Sequence, residues 1–436
     1  MRPEAVISSS AITRSLELAL SCLKGGFRTT DDGCSGWYHY LDDPHPGVTA
    51  SAVGLYSFQM AGSRFERTDE VLQYLIDQQI QSPDQAEGGW SVRTTNGFPI
   101  LEATAWVVRA LSRSDIGRLK VSDSLRSGAE WIERNQNTDF GWGSYRGQPS
   151  RLFHTALATL ALQECGGNPE VTTNSQKWLI GAQNTHAPAW GPTAGAEPTV
   201  LHTSIALLAL VKIPGALSTN SIRQCADWLL ERLEPGVHVE RSTTVEEYDV
   251  PYVTGGATTV FQNSLPHFAG PLAITALLAA GVDPLQAKIF QSVQAIIDTQ
   301  LESGNWELPR SPTRQSIWAI WPFISALSAL RVSVFATQHS TATILFPGCA
   351  IVQSEETNKK LTRRLLIRNS VFDWLRQRKV AVALLTIAAL ATAIPLILLL
   401  TRRISITDFV LTLILPVLLT TFHLTWERWN RTKGEH

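Results

Sequence analysis

One grammar recurs along most of the chain, and a repeat of roughly 20–50 residues constrains architecture more than any local propensity does. Helical segments ending in Gln appear as VLQYLIDQQ to Gln79, AEWIERNQ to Gln136, QKWLIGAQ to Gln183 and VQAIIDTQ to Gln300. Each is followed six to eleven residues later by a Trp: Trp90, Trp142, Trp190 and Trp306. Gly directly precedes Trp90 and Trp142, and also Trp37 in SGWYHY, where the helix-Gln signature is weak; Ala189 and Asn305 replace it elsewhere. Twelve to fourteen residues beyond a Trp, an apolar helix opens with Thr49-Ala50, Thr104-Ala105, Thr155-Ala156 or Thr203-Ser204.

The helices opening with Thr (TASAVGLYSF, TAWVVRAL, TALATLAL, TSIALLAL) are apolar nearly all round, as helices buried on both sides must be. The helices ending in Gln are amphipathic and suit an outer ring. Each unit is therefore an outer helix, a Gly/Trp loop and an inner helix. Units end near Gly62, carry Trp90, Trp142 and Trp190, use CADWLLERL with PLAITALLAAG, and close with Trp306, making about six hairpins. The fold expected is all-α, a single α/α toroid over residues 1–330 with an inner and an outer ring. The fifth unit departs from the pattern: residues 234–268 replace the short loop, and a long loop in a compact domain is usually functional or disordered.

Gln–Gly–Trp-like loops followed by Thr-Ala inner helices resemble the QW repeats of squalene–hopene and oxidosqualene cyclases, and the same helical ring occurs in protein prenyltransferase β subunits. The similarity covers residues 10–330 and speaks for fold more than for chemistry. In the cyclases an Asp-x-Asp-Asp motif immediately before Thr-Ala protonates a polyene. Here the corresponding residues are His45-Pro46-Gly47-Val48, Ile100-Leu101-Glu102-Ala103, Arg151-Leu152-Phe153-His154 and Thr199-Val200-Leu201-His202. Only Glu102 supplies an acid, so the resemblance implies Glu102 as proton donor; a capping or ion-paired Glu near a helix start is the commoner use of such a residue. His154 and His202 precede Thr in adjacent repeats and are expected side by side at one mouth of the ring, either as catalytic partners or as hydrogen-bonded helix-start residues.

No cofactor is expected, with a divalent metal, Zn or Mg, as the alternative. Prenyltransferases hold zinc with an Asp-x-Cys pair and a distant His before Thr. Asp32-Gly33-Cys34 supplies such a string, but it precedes Trp37, whereas the family's pair opens an inner helix. Glu246, Glu247 and Asp249 crowd the fifth-unit insertion, either as a solvated acidic loop or as a Mg²⁺ site. Trp106, Phe153, Phe268, Trp318 and Trp321 lie on or beside inner helices, where they either line a substrate cavity, their faces stabilising developing carbocations, or pack the core.

The C-terminal segment reads differently. Val380 to Leu400 is an uncharged apolar run of 21 residues, and Ile404 to Leu424 is a second, interrupted by Asp408 and His423. Each can span roughly 30 Å of hydrocarbon as a helix. Residues 331–358 read as a linker, 359–379 as a basic juxtamembrane segment, 380–424 as a two-helix transmembrane hairpin and 425–436 as a tail. Eight Lys/Arg precede the first span and three follow the second, against two between them, which puts both the toroid and the C-terminus on the cytoplasmic side of a cell membrane. Residues 359–436 carry 13 Lys/Arg against 4 Asp/Glu, so the remaining body holds 24 against 34 and is acidic, which argues against nucleic acid as a partner. Five scattered cysteines without a C-x-x-C pair fit reduced thiols. The function expected is that of a membrane-anchored protein acting on or binding a polyprenyl or another lipophilic small molecule. The alternative is a noncatalytic lipid- or protein-binding toroid serving as sensor, scaffold or membrane effector.

Overall fold

The computed structural model describes residues 5–6, 9–81, 87–92, 98–114, 119–212, 215–234, 243–254, 257–308, 314–337, 344–346 and 349–351. Residues 1–354 form one compact unit. The expected membrane hairpin 380–424 and the basic segment 359–379 lie outside the described residues. Among the described residues no helix is long and apolar enough to cross a membrane.

Twelve α-helices occur among the described residues. They are α1 (Ser9–Gly26), α2 (Val48–Met60), α3 (Thr68–Asp77), α4 (Leu101–Ser112), α5 (Leu119–Arg134), α6 (Leu152–Cys165), α7 (Pro169–Gly181), α8 (Val200–Val211), α9 (Thr219–Arg232), α10 (Ala269–Ala279), α11 (Ala287–Asp298) and α12 (Trp321–Thr337). The even-numbered helices pack in series, and α12 returns to α2, so the inner ring closes. The odd-numbered helices lean on the outside of the ring, with α1 against α12 across the seam. Six outer–inner hairpins result, as the repeat count predicts. The inner helices are shielded on both sides: Leu152 through Leu162 of α6 are buried without a break, and Gly166 ends the helix in the left-handed region at φ 72°.

The repeat residues build the ring through one clamp used again and again. The indole N–H of Trp37, Trp90, Trp142, Trp190 and Trp306 donates to an outer-helix carbonyl, of Leu23, Leu75, Ile132, Leu179 and Ile296, at 2.6–2.8 Å. The backbone N–H of the first four is accepted at 3.0 Å by an inner-helix hydroxyl: Ser51, Thr104, Thr155 and Thr203. The Thr of Thr-Ala is thus the inner jaw and the Trp the bolt between rings. In the first unit Ser51 takes this place and not Thr49, which shifts the expected register there by two residues. Gly54 of α2 makes room for the bolt, since a Cβ there would lie 2.6 Å from the Trp37 ring.

Gln joins neighbouring hairpins. The side-chain amides of Gln79, Gln136 and Gln300 donate to carbonyls of Ser124, Val171 and Ser15 on the next outer helix. Gln300 does so across 285 residues of sequence and so fastens the seam. Gly304 sits there at φ 89°, where a Cβ would meet the Leu18 carbonyl at 2.2 Å, so the residue answers both a backbone and a space requirement.

The expected all-α content needs correction. Short strands β1 (Ala5–Val6), β2 (Arg28–Thr29) and β3 (Ser35–Gly36) are followed by a long antiparallel hairpin, β4 (Thr243–Thr254) with β5 (Ala257–Phe268). Strands β6 (Ile344–Phe346) and β7 (Cys349–Ile351) then pair with each other, and β7 pairs in parallel with β1. Within the fifth-unit insertion, residues 243–254 and 257–268 therefore form a β-ribbon, favoured by β-branched and aromatic residues in Thr-Thr-Val and Val-Pro-Tyr-Val and again in Thr-Thr-Val-Phe.

Candidate active site at one mouth of the inner ring

The N-terminal ends of α6 and α8 and the base of the β4–β5 hairpin meet around Glu246. Its carboxylate is 1% exposed. Oε1 accepts from Arg151 Nε at 2.8 Å and lies 2.7 Å from Nη2, and Oε2 lies 2.8 Å from His202 Nε2. His202 Nδ1 is held in turn by the Thr199 hydroxyl at 2.7 Å, the same side chain that caps α8. The hairpin is pinned again where Ser144 Oγ donates to the Asp249 carbonyl at 2.9 Å. Glu246 is thus neither the solvated acid nor the Mg²⁺ ligand weighed from sequence but a buried anchor. Glu247, next to it on the strand, is exposed.

Electrostatics follow from burial and these contacts. Burial pushes the Glu246 carboxyl up, but the His202 hydrogen bond, with Arg151 and His154 nearby, outweighs it and holds the group down at about 2. Burial drives His154 down to about 4, Glu246 only partly opposing it. Burial lowers His267, the penultimate residue of β5, to about 4 as well. Its ring lies 4.6 Å from that of Phe153. The mouth therefore holds one ionised carboxylate, one guanidinium bound to it, and two imidazoles kept neutral near neutral pH.

Of the residues singled out from sequence, His154 and His202 come together around Glu246, and Phe153 joins them through His267. Glu102 is buried on the next helix, α4, but stands apart in register. Counted from the clamping hydroxyls, His154 and His202 are one residue before Thr155 and Thr203, whereas Glu102 is two before Thr104. That offset turns its side chain about 100° around the helix from the histidine position, where α4 carries Ala103. Trp106 and Trp321 meet edge to face at 4.9 Å, bringing α4 and α12 together past α2, and Tyr56 lies 5.6 Å from Trp106. Phe268 packs on Phe323, itself stacked on Trp306, so it lies within the wall between hairpins. Trp318 sits on a 3-10 turn ahead of α12 and not on an inner helix, with His39 at 6.2 Å. Asp32 and Cys34 occupy the tight connection between β2 and β3, and among the described residues no group of His, Cys, Asp and Glu is placed to hold a metal.

A second cluster, not foreseen from sequence, lies at the opposite ends of the inner helices. Arg109 of α4 bonds the Glu164 carboxylate of α6 at 3.1 and 3.2 Å and the Tyr56 hydroxyl of α2 at 2.6 Å, while Lys212, beyond α8, reaches Glu164 at 2.7 Å. Arg109 lies over the rings of Tyr56 and Trp106 at 4.5 and 4.8 Å. Burial would weaken both charges, but the pair overrides it, holding Glu164 well below the usual carboxylate range and Arg109 above its own. Lys212 and Arg113 stand just past helix C-termini, where cations oppose the helix dipole.

No protein-family profile matches the chain. A probable squalene–hopene cyclase of Sinorhizobium fredii is 33% identical over 79 residues, 17% of this chain and 12% of that protein. A terpene cyclase–glycosyl transferase fusion protein of Humicola fuscoatra is 31% identical over 102 residues, 23% of this chain and 7% of the fusion. The matched segments thus span a small part of those curated relatives. Among solved structures, a type II terpene cyclase variant from Scytonema, in complex with its substrate geranylgeranyl dihydroxybenzoate, superposes with a TM-score of 0.51 at 14% identity, covering 74% of this chain and 99% of that one. An inactive α-1,6-mannanase variant of Salegentibacter in complex with α-1,6-mannotriose reaches 0.50 at 9% identity, with the same coverage. The chain has a terpene cyclase-like α/α toroid fold, and that fold also carries sugar chemistry, so function must be argued from the site.

Proposed function

We propose that the toroid takes a polyprenyl or another lipophilic small molecule into its inner ring as a cyclase-like enzyme, held at a membrane by residues 380–424 with the toroid and C-terminus cytoplasmic. One observation carries the reading: a buried polar cluster around a fixed carboxylate at one end of the inner helices adjoins helices that carry the buried aromatic side chains Phe153, Trp106 and Tyr56. Aromatic faces and an ionised carboxylate both favour developing positive charge. In this reading Glu102 donates the initiating proton, a role that Glu246, held ionised, cannot fill. His202 is held in one orientation by Glu246 and Thr199, and His154 is a neutral acceptor for the proton lost at termination. Phe153, Trp106 and Trp321 contact the chain of the substrate, with Phe268 and Trp318 shaping the wall behind them. A tether suits such a substrate, which partitions into lipid and reaches the ring from there.

The test is turnover of polyprenyl substrates by the full chain in detergent. Glu102→Gln should abolish product while leaving stability within about 1 kcal/mol, the scale of a non-disruptive substitution; full activity in that variant refutes the proton-donor role. A second reading, a noncatalytic lipid-binding toroid, is favoured by the missing Asp-x-Asp-Asp and by the register of Glu102. It predicts retained ligand without turnover in the unmodified protein.

A further inference from the structure

His267 is a polar residue of the mouth that the contacts above leave uncommitted. It is 3% exposed, sits at the base of β5 against Phe153, and its Nε2 has no hydrogen-bond partner among the described residues. Arg151 and His202 nearby are committed. Arg151 spends Nε and Nη2 on Glu246, and His202 spends one ring nitrogen on Glu246 and the other on Thr199. A buried polar nitrogen without a partner is costly, and a ligand that satisfies it recovers part of that cost.

The charge around this nitrogen restricts what can approach. Arg151 and Glu246 cancel as a bonded pair, and burial keeps His154 and His267 uncharged near neutral pH. A diphosphate placed here would meet the Glu246 carboxylate and, among the described residues of the cluster, no guanidinium free to leave its own partner. An uncharged oxygen meets a neutral imidazole that can donate or accept.

Building on the reading of the ring as a lipophilic pocket, we infer that this mouth recognises the uncharged oxygen of an isoprenoid alcohol or carbonyl, with His267 Nε2 as its hydrogen-bonding partner, and discriminates against prenyl diphosphates. His267 is then a specificity-determining contact.

The experiment measures binding of farnesol, farnesyl diphosphate and the hydrocarbon farnesene to the full chain in detergent, by quenching of its Trp fluorescence. Farnesol should bind at least about 10-fold more tightly than the diphosphate. His267→Phe, which keeps the ring against Phe153, should lower farnesol affinity about 3- to 10-fold and leave farnesene unchanged, the loss expected for one hydrogen bond. His267→Asn, which keeps a polar nitrogen, should recover part of it and controls for folding. Tighter binding of the diphosphate, or farnesol affinity unchanged in His267→Phe, overturns the inference while leaving the lipophilic pocket intact. Failure of all three probes to bind overturns the pocket reading and the inference with it.

Discussion

Glu246→Ala removes the group that fastens the β4–β5 hairpin to the inner ring. The carboxylate makes three contacts at 2.7–2.8 Å, two with Arg151 and one with His202. Breaking a buried ion pair from one side costs about 3–5 kcal/mol, because the surviving charge stays desolvated. Arg151 is 27% exposed and can turn to water, whereas His202 at 2% cannot, which brings the expected loss to about 2–4 kcal/mol. Glu246→Gln keeps an acceptor for Arg151 and should lose about half as much. Equilibrium urea unfolding of the full chain in detergent, followed by Trp fluorescence, reads the difference. A Glu246–His202 double-mutant cycle should give a coupling of about 0.5–3 kcal/mol, the range of contacting pairs. If Glu246→Ala stays within about 0.5 kcal/mol of the unmodified chain, well below the range for a broken buried pair, the hairpin is not anchored as described, and the account of the mouth fails with it.

Thr155→Val deletes the inner jaw on Trp142 and leaves the buried Trp142 backbone N–H without its acceptor, so it should cost about 1–3 kcal/mol in the same unfolding assay. Gln300→Ala should loosen the seam; hydrogen exchange should rise first in α1 and α11, and a uniform change across the ring would contradict the seam assignment. Acid should destabilise the toroid early. His154 and His267 ionise at about 4 when folded and at about 6.5 when unfolded, so the unfolded chain binds more protons between those values. Stability is therefore present above about pH 6.5 and lost as pH falls toward 4, by about 1.4 kcal/mol per pH unit for each histidine, with Glu246 adding a further loss below about 4.5. A flat stability profile from about pH 7 to 5 would contradict the neutral buried histidines. A truncation at residue 358 should remain monodisperse without detergent, whereas aggregation would show that the body does not close its own core.

The ring is legible in the sequence because its device is local and repeated. Trp37, Trp90, Trp142 and Trp190 each meet a hydroxyl 13 or 14 residues further on, and Gln79, Gln136 and Gln300 tie their hairpins to the next, so spacing alone exposes the device. The seam follows from the same logic, since Gln300 does for α1 what Gln79 does for α5. The hairpin is harder to read, even though Gly255-Gly256 between two β-branched runs is a recognised signal for a β-turn. The helical repeat on either side makes an irregular insertion the natural expectation. Glu246 looks like a solvated acid because its partners, Arg151 and His202, lie 95 and 44 residues away and nothing in the spacing links them. His267 carries no motif at all, and the Arg109–Glu164–Tyr56 network joins three helices through single residues that no periodic pattern marks. The one-residue offset of Glu102 becomes visible only when register is counted from the clamp.

The central claim is that the inner ring holds a lipophilic small molecule. The most direct measurement is organic extraction and mass spectrometry of the full chain purified in mild detergent. Beside it stands Ala103→Trp, which adds an indole on α4 at the register position that the histidines occupy on α6 and α8, with a cooperative thermal transition showing that the variant still folds. The account predicts a polyprenyl or related isoprenoid enriched over bulk membrane lipid in the unmodified protein and absent from Ala103→Trp. Extracts that match the detergent-solubilised membrane in both proteins would contradict it.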